Sequence, residues 1–168
     1  MISPAYVHTM ALYNSEMNRR IYAGAATLGD EQRRADRGLF WKSLHGTLSH
    51  LMWGDRHWMS RLDGWPANTV DQKGSADMFR DFSDMHAERL KADGRIEDLA
   101  NRIDQAWLDS DLVWFSGTMN KELRRPKGQV MTHFFNHQTH HRGQAHAVLT
   151  MCGVDPGDTD LLVVVPPA

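Results

Sequence analysis

One cysteine, Cys152, is present in 168 residues. That excludes an intrachain disulfide and fits a reducing compartment. No run approaches the roughly 18 to 20 consecutive apolar residues of a membrane span, and the N-terminus lacks the charged-then-apolar order of a secretory signal. Neither sign of charge dominates, since 19 Lys and Arg against 21 Asp and Glu leave a formal charge of −2. A surface that captures nucleic-acid phosphates or an anionic membrane is usually far more basic. The pairs Arg19-Arg20, Arg33-Arg34 and Arg124-Arg125 are dispersed among acids and read as solvated surface. Internal repeats and low-complexity tracts are missing too. What is left is the expectation of one cytoplasmic domain over residues 1–168, long enough to bury a core without staples.

Four stretches have the length and composition of helices. The first, about 4–28, carries Tyr6, Met10, Tyr13, Met17 and Ile21 at three-to-four spacing, which predicts one buried stripe, and Gly29-Asp30 stops it. The connector "DEQRRADRG" leads to a second helix over about 39–62, ended by Gly64 and Pro66. The polar "ANTVDQKGSAD" is long for a bundle connection and predicts a crossover or a mobile loop. A third helix is expected over about 76–110, with a break near Asp93-Gly94, where glycine costs about 1 kcal/mol relative to alanine. "LVWFSGTMNKELRRPKG" reads as two short extended pieces around Gly117 and Asn120, a hairpin pattern. The fourth helix runs over about 129–152, closed by Gly153 and Pro156. This is the pattern of an all-α chain, a four-helix bundle rather than a layered α/β fold.

The segment "HFFNHQTHHRGQAH", from His133 to His146, holds five of the ten histidines. On a helical wheel Val130, Phe134, His141, Ala145, Val148 and Cys152 share one arc, with His137 beside it, His133 and His140 at its edge, and His146 pointing away. His137 and His141 stand one turn apart, so both rings can reach one ion at the roughly 2.0 to 2.1 Å of a zinc–imidazole bond. Spacing alone also allows two half-buried histidines bonded to neighbours, and a catalytic zinc usually has a third protein ligand. The second helix offers His45, His50 and His57, and periodicity does not choose among them. Leu44, Leu48, Leu51, Met52, Met59 and Leu62 form its apolar stripe. His50 lies on another face between Gly46 and Gly54, which would let a second helix or a ligand approach closely. Cys152 reads as a small buried residue rather than a nucleophile, because a helix C-terminus disfavours the thiolate. Six tryptophans and ten methionines point to a sizeable apolar interior or interface.

"WKSLHGTLSHLMWGDRHWMSRL", followed by "HFFNHQTHHRGQAHAVL" and preceded by "ALYNSEMNRRIY", resembles the DinB family of bacterial four-helix metalloproteins. The resemblance implies an up-down-down-up bundle, with the long polar link as its crossover, and a homodimer. It implies three metal ligands: His50 in the "LSHL" position and His137 and His141 from "HQTHH", with His140 a neighbour only. The ion it implies is nickel, zinc or iron.

Three neutral imidazoles leave a divalent ion its full charge, so water or a thiol in an open position is acidified. Relatives in the wider superfamily resemble S-transferases or isomerases that use a low-molecular-weight thiol such as bacillithiol or mycothiol. The expectation is therefore a small-molecule thiol transferase, with a metal-dependent hydrolase and a non-enzymatic metal-binding stress protein, induced by DNA damage, as the other classes. No general base stands out. Asp55 and Arg142 read equally as partners within the bundle or as groups behind the ligands.

Overall fold

Ser3 opens the first helix, its hydroxyl accepting from the Tyr6 amide at 3.2 Å while Pro4 fills the first turn, where no amide donor is needed. The computed structural model describes residues 1–117 and 119–165, so Thr118, inside the expected hairpin, lies outside the described residues. Its helices are α1 (Pro4–Ala26), α2 (Asp30–Arg34), α3 (Leu44–Leu62), α4 (Phe82–Arg102), α5 (Gln105–Asp109), α6 (Lys127–Met151) and α7 (Leu161–Val164). A 3₁₀ turn spans Ser75–Asp77, and β1 (Asp111–Ser116) pairs antiparallel with β2 (Lys121–Pro126), from Asp111 opposite Pro126 to Ser116 opposite Lys121. The chain is thus mostly helical with one small hairpin, whose turn holds Asn120 at φ 49°. None of the described helices is long and apolar enough to cross a membrane.

Several boundaries differ from the sequence expectation. The second long helix starts at Leu44 instead of 39, because the Ser43 hydroxyl caps it by accepting from the Gly46 amide and Lys42 sits at φ 64° just before. The third expected helix is three pieces. Ala76 belongs to the 3₁₀ turn, α4 passes through Asp93 and Gly94 unbroken, and the break falls at Ile103-Asp104. Asp104 starts α5 by accepting from the Trp107 amide at 2.7 Å, a capping bond that competes with helix continuation. The connector "DEQRRADRG" contains α2, whose acids come first and arginines last, as the helix dipole favours.

The four long helices pack with α1 against α4 and α6, and with α3 against α4 and α6. Residue partners give their directions. Tyr22 stacks on Phe82 while Asn18 bonds Asp93, so α1 and α4 run oppositely. The pairs His50–His141 and Trp58–His133 make α3 and α6 opposite as well. Tyr6 beside Phe135 and Asn14 beside Arg142 set α1 and α6 parallel, and Asp55–Arg89 with Asp63–Arg102 does the same for α3 and α4. The expected stripe of α3 is buried throughout. The stripe of α1 is rotated, since Val7, Ala11, Asn14, Asn18 and Ile21 face the core while Tyr6 stays 37% exposed.

That rotation places polar groups inside. Arg89 pairs with both Asp55 and Asp93, Gln138 donates to Asp55, and Arg142 donates to Asn14 and Gln138. Two carboxylates and two guanidinium groups thereby meet in one buried layer drawn from all four long helices. Removing one member of such a pairing strands the other's charge. Asp55→Ala, which leaves Arg89 short of a carboxylate and Gln138 without its acceptor, should lower unfolding free energy by about 3–5 kcal/mol in urea denaturation.

Candidate metal centre

Seven residues into α3, His50 is 2% exposed, and it faces the middle of α6. Its ring centroid lies 5.1 Å from that of His137 and 4.8 Å from that of His141, which are 4.7 Å from each other. One ring nitrogen from each of the three lies within 4.8 Å of the other two, a group that could hold a metal ion. Of the remaining candidates, His45 is taken by the Phe79 carbonyl at 2.8 Å, His140 contacts Gln144, and His146 reaches the Gly157 carbonyl.

Two glycines make this approach possible. A Cβ on Gly54 would lie 2.7 Å from Cε1 of His137, closer than carbon atoms can stand, so the imidazole occupies the space a side chain would fill. A Cβ on Gly46 would meet the Trp41 carbonyl oxygen at 2.4 Å, and this close passage lays the Trp41 indole on His50, 4.0 Å between centroids.

The nitrogens are oriented from behind. Nδ1 of His141 is 2.8 Å from Oε1 of Gln144, an oxygen that only accepts, so Nδ1 carries the proton and Nε2 presents a lone pair. Nδ1 of His50 meets the Ser75 hydroxyl at 2.8 Å, and that serine is held in turn by Ser49, which donates to its carbonyl. Nε2 of His50 then faces Nε2 of His137 at 3.1 Å, a spacing that needs a shared proton or a cation between them. Two ligands about 2.1 Å from one ion at roughly 90–110° would stand about 3.0–3.4 Å apart, so the donor set fits a metal. The rings are neutral, so a ring N–H or a cation can fill this gap. Burial first, then the neighbouring histidines, lowers both His50 and His137 to about 3, and burial lowers His141.

The DinB family matches the chain over residues 1–166. The chain belongs to the DinB family. No curated protein matches it.

In this DinB chain a cleft of about 550 Å³ opens beside the cluster, with His50 and His137 in its wall. Its other walls include Trp53, His57, Trp58 and His133, together with residues of the 67–72 segment. His57 is held neutral chiefly by burial, at about 4, and His133 is lowered for the same reason. Both line the cleft beside the cluster. Asp55 and Arg142 belong to the buried layer described above. Ser75, Gln144, Trp41 and Trp53 are among the groups that touch the clustered rings, and no spacing rule could have found Ser75, which comes from the 3₁₀ turn 25 residues on. Cys152 is half-buried, with a guanidinium nitrogen of Arg37 at 3.6 Å, away from the cluster.

The shifted histidines tie stability to pH. Their folded values lie below the unfolded 6.5, so their contribution is present above pH 6.5 and is lost as pH falls toward about 3. Thermal melts of metal-stripped protein should show the melting temperature dropping between pH 7.5 and 5. The double variant His50→Ala, His137→Ala should show a shallower drop. A second expectation concerns Gly54→Ala, which adds no ligand and removes none. It should displace His137 and reduce bound metal measurably while the circular dichroism spectrum stays helical.

Proposed function

We propose that His50, His137 and His141 hold one divalent ion, and that the protein is a metal-dependent enzyme using a low-molecular-weight thiol. The observation that carries this reading is the convergence of three neutral imidazoles, His50 and His141 buried and His137 half-buried, beside an open cleft. The frame is read as a single up-down-down-up four-helix domain, supported by the parallel and antiparallel pairings of its long helices. A bound ion supplies positive charge that favours a thiolate over a thiol at a position facing the cleft. The protein's own groups do the rest. Ser75 and Gln144 hold two ring orientations, and Trp41 and Trp53 stack on His50 and fix its ring plane. His57 and His133, unprotonated, are placed to accept a proton from an incoming thiol. The same two bases also serve a hydrolase, which would deprotonate water there. A homodimer is part of the reading, and α7 offers apolar surface for it, with Leu162 90% exposed.

Elemental analysis of untagged protein should find one divalent ion per chain. Alanine at His50, His137 or His141 should remove most of it, and His140→Ala or His146→Ala should leave it. Cobalt-substituted protein titrated with small thiols should develop a sulfur-to-metal charge-transfer band that is missing in His137→Ala. Metal-dependent ester or amide hydrolysis without such a band would replace the transferase by the hydrolase. Full occupancy retained in all three alanine variants would refute the site itself.

A further inference from the structure

We propose that the cleft takes an elongated small molecule ending in a carboxylate, and that Arg61 binds that carboxylate while the other end faces the histidine cluster. This rests on the preceding reading for what the far end does, but the anion site stands on its own observations.

The first is register. His50, Gly54, His57 and Arg61 follow one another at three- and four-residue steps along α3, with Trp53 beside Gly54, and all five line the cleft. Eleven residues separate His50 from Arg61, close to three full turns, so both ends of this row share one face. The floor of the cleft is therefore a strip with a histidine cluster at one end and a guanidinium at the other.

The second is charge. Arg61 forms no ion pair with any acid among the described residues, although it is partly buried and burial alone pulls its pKa down. Its Nη1 donates to the His57 carbonyl, and the guanidinium leans over the Trp58 ring, 5.9 Å from the centroid. Those contacts use one side of the fork and leave further N–H groups for a planar partner. The nearby acids do not pair with Arg61. Asp63 pairs with Arg102, and Asp71, which shares the cleft, accepts from the Gly74 amide at 3.0 Å. A half-desolvated arginine without a counterion in a cleft is the complement of a ligand carboxylate.

The third is the wall between the two ends. Trp53, Trp58 and Val70 give it an apolar strip beside the polar Ser60, Asn68 and Gln72, and the body of the ligand lies along that strip. The bond from Arg61 back to His57 draws the guanidinium toward the cluster. Seven residues of helix from His50 to His57 rise about 10 Å, which sets the distance between the ligand's two ends on that order. One arginine without a nest of backbone amides matches a carboxylate better than a phosphate dianion, which usually gathers more donors.

Calorimetry on the full chain, stripped of metal, tests the anion site apart from the metal reading. Octanoate should bind about tenfold or more tighter than octanol, the advantage expected of one charge-assisted pair. Arg61→Gln should erase the difference, Arg61→Lys should keep part of it, and both should retain wild-type metal uptake and helical spectra. Equal or undetectable binding of octanoate and octanol by the wild type overturns the proposal, as does a preference that survives Arg61→Gln. Octyl phosphate binding tenfold tighter than octanoate would reassign the anion and overturn the carboxylate. With cobalt-loaded protein, 8-mercaptooctanoate then addresses the other end. An Arg61-dependent octanoate preference without a charge-transfer band removes the thiol reading and leaves the carboxylate site in place.

Discussion

The contact on which the rest of this molecule depends is that of α3 with α6 at Gly54. The imidazole of His137 lies where a side chain at position 54 would be, so the two helices can meet there only in a register that puts glycine opposite histidine. That register also sets His50 against His141 and Trp58 against His133, one turn to either side. A shift of one turn in either helix would place a side chain against the ring and separate the three nitrogens.

The buried polar layer holds this register from the neighbouring positions. Asp55 follows Gly54, Gln138 follows His137, and Arg142 follows His141, so these three residues of the layer are tied by the backbone to residues at the contact. Buried charges of this kind add little net stability, because desolvation offsets their attraction, but they penalise every arrangement that leaves one unpaired. The layer thus acts on which packing is adopted more than on how strongly the chain folds. It also explains why α1 turns Asn14 and Asn18 inward: they complete hydrogen bonds that apolar side chains could not.

The cluster sits at a boundary between two environments. On one side are Trp41, Ser75 and the helix interior, which desolvate the rings and keep them neutral. On the other is the cleft, whose His57, Arg61 and indoles give it a base, a guanidinium that pairs with no acid among the described residues, and an apolar strip. A ligand entering there meets a gradient from cation to neutral donor within one strip of α3, which is a physical basis for orienting an asymmetric molecule.

Local patterns in the chain were enough to specify four long helices, the apolar stripe of α3, the hairpin and the chemical suitability of His137 and His141. Each follows from periodicity or from spacing within one element, where geometry is set by the 3.6-residue turn. The resemblance carried by the motifs added His50, which spacing could not choose over His45 and His57. Tertiary structure alone decided the rest. The start of α3 and the end of α4 were settled by capping bonds that compete with helix continuation, and the buried face of α1 by partners on two other helices. Ser75, Trp41, the cleft bases and the unpaired state of Arg61 were likewise beyond local pattern. Each is defined by what stands across a gap in space, and a single chain of residues does not encode that neighbour until the helices are packed.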